Sequence, residues 1–193
     1  MILKRFRLKP WSGKIDELYG AIVAQSRREA FYTGYGVFDV IVLHIVVMLA
    51  RLDRAGGAAR AIGQNLFDRF CRDLDANLRE MGVGDFAVPK RMRQFGEAFY
   101  GRQAAYLAAL AAPDRRKLEK ALARNIFGGV NAAGPRRLGH YARAVARQFE
   151  VLDQEALLRG DVVFPDPEAV PMPQHQAPEP AAPDPGGVVT PTR

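Results

Sequence analysis

The chain has 193 residues, with 28 Lys and Arg against 21 Asp and Glu, a net charge of +7, 48% hydrophobic content and one cysteine. That length fits one domain with a tail, large enough to bury a core without disulfides or metal. The hydrophobic share excludes wholesale disorder, and the solitary Cys71 excludes a disulfide framework or a multi-cysteine zinc or iron–sulfur site.

Segment 1–11 is basic, through Lys4, Arg5, Arg7 and Lys9, but has neither an apolar h-region nor a small-residue cleavage site. It is not a secretory signal, so a cytoplasm-like, reducing compartment is expected. Ser12 can cap a helix that carries Ile15, Leu18, Tyr19, Ile22 and Val23 on one face. The longest apolar stretch, Val37 to Ala50, is interrupted by Asp39 and His44 and stopped by Arg51. A spanning helix needs about 20 apolar residues, so this stretch reads as a central buried helix, with His44 a hydrogen-bonded core histidine. Ile62, Leu66, Phe70, Leu74 and Leu78 then recur every fourth residue, with Phe67, Cys71 and Met81 alongside, opposite a face of Asp68, Arg69, Arg72, Asp73, Asp75, Arg79 and Glu80.

Gly82 is expected to take a positive φ and end that helix, and Asp85 to cap the next one through its carboxylate. Pro89 suits a first helical turn, after which Met92, Phe95, Phe99, Tyr106 and Leu110 line an inner face. Pro113-Asp114 opens a fifth helix with Leu118, Ala121, Leu122 and Ile126, closed by Gly128-Gly129. Pro135 starts a sixth, with Leu138, Tyr141, Val145, Phe149 and Leu152. No stretch keeps a period of two between hairpin turns. The fold class is therefore all-α: one domain of about six helices over residues 12–163.

Nine of the 13 prolines fall between Pro165 and Pro191, with four acids in the same stretch and one arginine, Arg193, after it. Such a segment buries too little apolar surface to offset its ordering entropy, so residues 164–193 are expected to form a disordered, Pro-rich acidic tail. The rest of the chain is correspondingly more basic than the whole. Its charge favours RNA, a ribosomal surface or anionic lipid over acidic proteins; sequence-specific DNA binding is not expected.

Catalytic sets are missing. His44, His140 and His175 form no His-x-x-x-His or Glu-x-x-His pair, so no metal is expected. Gly82 to Ala87 matches G-x-G-x-x-A, but a dinucleotide turn must follow a buried strand, and this one joins two helices. Asp68 and Asp75 share a helix face, yet Arg69, Arg72 and Arg79 surround them, which makes an exposed ion-pair network the simpler account. Neither an enzyme nor a cofactor is expected.

Three strings carry a family likeness: Leu18–Tyr32, Phe67–Asp85, and Val88–Arg93 continuing to Phe99-Tyr-Gly-Arg102. With them the chain resembles the ubiquinol–cytochrome c chaperone family, the assembly factors of respiratory complex III, from about Leu18 to the early 150s. The resemblance implies a non-enzymatic chaperone that holds newly made cytochrome b, or another complex III subunit, until it joins the complex. It also implies association with ribosomes and with a small partner subunit, as for mitochondrial relatives. The family-like region starts almost at once, so a bacterial version is expected, in the cytoplasm or held peripherally at the cytoplasmic face of the inner membrane. An anionic membrane surface is then a further partner. A helical RNA- or ribosome-associated protein without a complex III role is the alternative.

The client- or partner-facing candidates are Tyr32, Asp75, Arg79, Glu80, Asp85, Lys90, Arg93, Tyr100 and Arg102, with Gly82 and Gly84 shaping the turn. These segments concentrate the family-like residues and carry charges that core packing does not require.

Overall fold

The computed structural model describes residues 12–31, 36–129 and 133–170. In chain order these form α1 (Ser12–Ser26), a 3-10 turn (Glu29–Phe31), α2 (Val37–Ala55), α3 (Gly57–Glu80), α4 (Val88–Ala111), α5 (Arg116–Ile126), α6 (Ala133–Glu150) and α7 (Gln154–Arg159). Among the described residues there is no strand, and the molecule is all-α.

α2 is the central helix, as its all-round hydrophobicity requires. Val40, Val42, Leu43, Ile45, Val46, Met48 and Leu52 are all buried, and α1, α3, α4 and α6 pack around them. Each such side chain contributes about 1.5–3 kcal/mol of burial, so the core is organised from this helix outward. No described helix is long and apolar enough to cross a membrane.

Arginines finish three of the surrounding helices. Arg51 of α2 donates to the carbonyls of Phe149 (2.7 Å) and Leu152 (2.9 Å) at the end of α6. Arg143 of α6 donates to the carbonyls of Leu110 and Ala109 at the end of α4, both at 3.2 Å. Arg102 of α4 reaches the Asn125 carbonyl near the end of α5 at 3.5 Å. Helix C-termini leave unpaired carbonyls and a partial negative charge, so a guanidinium there satisfies both. Part of the basic surplus is thus structural.

The turn between α3 and α4 corrects one expectation. Gly82 has φ +81°, as its position after the helix demands. The Val83 N–H donates to the Leu78 carbonyl (3.0 Å) and the Gly82 N–H to that of Arg79 (2.9 Å), a Schellman closure. Asp85 does not cap α4; Ala87 precedes that helix and no side chain caps it. The Asp85 carboxylate turns back to the Arg79 guanidinium, which also holds Asp75 at 2.7 Å. A charge-assisted bond within reach outcompetes a neutral backbone donor. A Cβ on Gly82 would meet nothing within 4 Å, so only backbone strain opposes a side chain there. Gly82→Val should therefore cost about 1–2 kcal/mol, read as a lower melting temperature with an unchanged helical spectrum.

Two further features differ from expectation. α7 is an additional short helix, capped by Asp153, whose carboxylate accepts from the Ala156 N–H at 3.3 Å, and ended by left-handed Gly160. It contributes one fully buried side chain, Leu157, too little to create a periodic signal. The expected boundary near Phe164 also falls inside a packed segment. The Phe164 ring meets His44 and Phe149 edge-on at 5.0 and 5.4 Å, and Val170 still lies against the core. The Pro165 carbonyl accepts from Gln25 Nε2 at 3.0 Å, and Asp166 pairs with Arg28 at 3.0 Å. Proline content prevents a segment from building a core, but not from lying on one built by others. Residues 1–11 and 171–193, with whatever was expected of them, lie outside the described residues.

Candidate functional site

The outer end of the α3–α4 hairpin departs from the rest of the surface. The last buried residue of α3 is Phe70, and α4 has none between Val88 and Phe99. The ten residues from Cys71 to Glu80 rise about 15 Å along the helix axis, so the hairpin reaches well past the core. At its end Met81 is 78% exposed and Phe86 is 102% exposed. A turn held by backbone bonds and an Arg–Asp pair does not need either side chain. Helical spacing puts Met81 alongside the inner face of α3, and the structure overturns that because the helix ends at Glu80 and the turn carries Met81 into solvent; Phe86, between the helices, has no spacing to report it.

The charged candidates surround this end. Asp75, Arg79 and Asp85 form one ion-pair chain, while Glu80, Lys90 and Arg93 are exposed. The first turn of α4 has no acid, although a helix N-terminus favours negative charge. Lys90 and Arg93 are therefore not placed there for the helix's own stability. Asp73, by contrast, is turned inward: it accepts from the Tyr19 hydroxyl at 2.7 Å and from Arg69 at 3.3 Å, which ties α3 to α1.

An aromatic cluster supports the base of the hairpin. Phe67, Phe70, Phe95 and Phe99 approach one another with centroids 4.8–6.3 Å apart, in tilted and edge-on arrangements. Phe38 and Tyr100 extend the cluster to the surface, at 39% and 59% exposure. Tyr100 also borders a shallow groove of about 210 Å³ beside Phe67 and Gln103. Arg102 is drawn into the fold instead: its side chain is 23% exposed and pairs with Asp39 at 3.4 Å. Burial raises the Asp39 pKa and Arg102 opposes that, so the pair is a tie between α2 and α4. Tyr32 lies outside the described residues.

The polar groups inside the molecule are spent on structure. His44 is fully buried, and Ser26 beside it donates its hydroxyl to the Ile22 carbonyl at 2.8 Å. The Ser26 oxygen can then only accept from His44, so Nδ1 carries the proton, toward Ser26 Oγ (3.0 Å) and the Val40 carbonyl (2.9 Å). Nε2 accepts from the Tyr141 hydroxyl at 2.7 Å, which in turn accepts from Gln25 at 2.9 Å. Burial pushes the imidazole down to about 4, and the Cys71 thiol is raised by burial and by Asp68. Neither group is poised as a base or nucleophile at neutral pH. Among the described residues no three His, Cys, Asp or Glu side chains converge as a metal set.

What stands out among the described residues is the protruding hairpin with its supporting aromatic cluster, and not a converged set of metal ligands. A protein of Xenopus laevis described as ubiquinol-cytochrome-c reductase complex assembly factor 1 is 28% identical over 131 residues, 66% of this chain and 64% of that relative, so the likeness spans just under two thirds of its length. The crystal structure of the Cbp3 homolog from Brucella abortus superposes with a TM-score of 0.75 at 35% identity, covering 82% of this chain and 92% of that one. Residues 33–164, which include the whole hairpin, match the family described as ubiquinol-cytochrome C chaperone, and the chain belongs to that family.

Proposed function

We propose that this protein is a non-enzymatic assembly chaperone of ubiquinol–cytochrome c reductase, complex III, and that it holds newly made cytochrome b, or another subunit of that complex, at the membrane periphery. Family membership supports the assembly role. The observation that carries the mode of binding is the exposure of Met81 and Phe86 at the free end of the hairpin. Covering both against an apolar client segment contributes about 1.5–3 kcal/mol for each side chain. A micromolar complex needs about 8 kcal/mol, so the two anchors supply roughly half, and Tyr100 with the charges of Asp75, Arg79, Glu80, Asp85, Lys90 and Arg93 supplies orientation and the remainder. Gly82 and Gly84 keep the turn narrow.

Deletion of the gene should lower assembled complex III and cytochrome b while other respiratory complexes form normally. Normal complex III in that strain would remove the reading and leave the RNA- or ribosome-associated alternative. Within the protein, Met81→Ser/Phe86→Ser should reduce pull-down of newly synthesised cytochrome b more than tenfold, the equivalent of about 1.4 kcal/mol or more. Arg93→Glu should weaken capture less, and neither variant should shift stability by more than about 0.5 kcal/mol. Arg79→Glu is a poorer test, because it sets like charge against Asp75 and Asp85. Undiminished capture by the folded serine variant would remove the hairpin end from the client surface.

A further inference from the structure

A cleft of about 490 Å³ opens between α2, the end of α4, the start of α5 and α6. Its floor is apolar, formed by Val47, Leu107, Leu110 and Ala146, and Arg115, Arg143 and Arg147 stand around it. The acids at the rim are already matched: Glu150 pairs with Arg54 at 3.5 Å and Asp53 with Arg60 at 2.8 Å. Among the described residues the other three arginines make no ion pair with a carboxylate. Arg143 is half-buried, and its charge is disfavoured first by burial and then by Arg115 and Arg147. Arg143 returns part of that cost by closing the end of α4, and Glu119 and Asp114 offset part of its charge, but among the described residues Arg115 and Arg147 pair with no carboxylate and add like charge beside an apolar floor.

The surroundings extend the same charge. Between Pro113 and Glu150 there are nine Lys and Arg against three Asp and Glu. On α6, Arg136, His140, Arg143 and Arg147 follow the i, i+4, i+7, i+11 spacing that keeps them on one face. Among the described residues no aromatic side chain lines the cleft, so they offer no stacking platform of the kind that unpaired bases require. Apolar floor and cationic rim together match an anion that carries a hydrocarbon chain.

We propose that this cleft binds an anionic phospholipid, with the phosphodiester held among Arg115, Arg143 and Arg147 and the first carbons of an acyl chain laid on Val47, Leu107, Leu110 and Ala146. The volume falls within the range of about 300–1,000 Å³ usual for small-ligand sites, enough for a headgroup and the start of a chain while the rest stays in the bilayer. The site deepens the membrane-periphery part of the reading above and shares none of its named residues with the client-facing end of the hairpin. The charge around it orients α5 and α6 toward the leaflet.

Flotation of the full chain with vesicles tests this. It should float with an equal mixture of phosphatidylcholine and phosphatidylglycerol and not with phosphatidylcholine alone. Arg115→Gln/Arg147→Gln changes two exposed side chains and should lower binding about thirtyfold. Arg28→Gln/Arg72→Gln removes the same charge away from the cleft and should stay within about threefold of wild type. Soluble dihexanoyl phosphatidylglycerol should compete, and glycerol phosphate should not. Equal losses in the two double variants, equal flotation with neutral vesicles, or equal competition by glycerol phosphate would each overturn the site. Displacement of the vesicles by single-stranded RNA that binds wild type but not Arg115→Gln/Arg147→Gln would reassign the face to nucleic acid and overturn it too. Cytochrome b capture by Arg115→Gln/Arg147→Gln in detergent should match wild type, so failure of the lipid site and failure of the client reading are separately visible.

Discussion

Replacing Phe99 with Ala should remove about 3–5 kcal/mol of stability, the largest loss expected from any single change in the hairpin. Phe99 is 1% exposed, and its ring lies 4.8 Å from Phe67, 5.9 Å from Phe95 and 6.3 Å from Phe70. Truncation loses the transfer energy of the ring and leaves a cavity whose walls are stiff, flat rings that close poorly over it. Against a total of about 5–15 kcal/mol, such a loss is about a fifth or more of typical stability. Urea denaturation should show a lower midpoint with an unchanged slope. Phe86→Ser, in the same hairpin, should change stability by about 0.5 kcal/mol or less, because that ring is fully exposed. A loss below about 1 kcal/mol for Phe99→Ala would mean that the aromatic cluster is not what holds the hairpin base.

Acidification should cost the protein about 3 kcal/mol through His44, lost progressively between pH 6.5 and about 4. The unfolded imidazole takes up a proton below pH 6.5, while the folded one resists until about 4, because burial excludes the charge. In that window the unfolded state binds more protons, so stability falls as pH falls and is complete above 6.5. A charged imidazole would also need a second acceptor at Nε2, and the Tyr141 hydroxyl would have to give up its donated proton to serve as one. The contribution is isolated by comparing wild type with His44→Leu in urea at pH 7, 6, 5 and 4. The variant is less stable at pH 7, since Tyr141 loses its partner, but its decline toward pH 4 should be shallower by about 3 kcal/mol. Parallel declines would show that His44 titrates normally. A nitrogen-15 spectrum should independently place the His44 proton on Nδ1 at neutral pH.

The two effects share an origin. The fold has one densely packed centre along α2, and both Phe99 and His44 are sealed against it, whereas Met81 and Phe86 lie where that packing has ended. Changes to function and changes to stability are therefore expected to separate cleanly along the α3–α4 hairpin. Toward its base, substitutions unfold the protein. At its end they are expected to spare stability and to alter capture of the proposed client.

The sequence by itself determined the helices, because each inner face repeats with a period that no strand could use: Ile62, Leu66 and Phe70, or Leu138, Tyr141, Val145 and Phe149, are all buried as their spacing requires. It determined the central position of α2, whose apolar residues leave no face for water, the hydrogen-bonded burial of His44 within it, and the positive φ of Gly82. The family was legible too, in strings that run through both arms of the hairpin. Tertiary structure decided the rest, since each remaining point depends on partners distant in the chain. Asp85 turned to Arg79 instead of capping α4, and Arg102 turned inward to Asp39, because a guanidinium within reach wins over a lone backbone donor or solvent. Phe164 to Val170 joined the body because α1, α2 and α6 had already built a surface for Phe164 to cover. Arg115 and Arg143, 28 positions apart in the numbering, became neighbours over an apolar cleft only when α5 and α6 folded against the end of α4. Periodicity reports which face of an element is buried; it carries no information about which other element arrives to bury it, and the polar contacts that distinguish this protein are made at those arrivals.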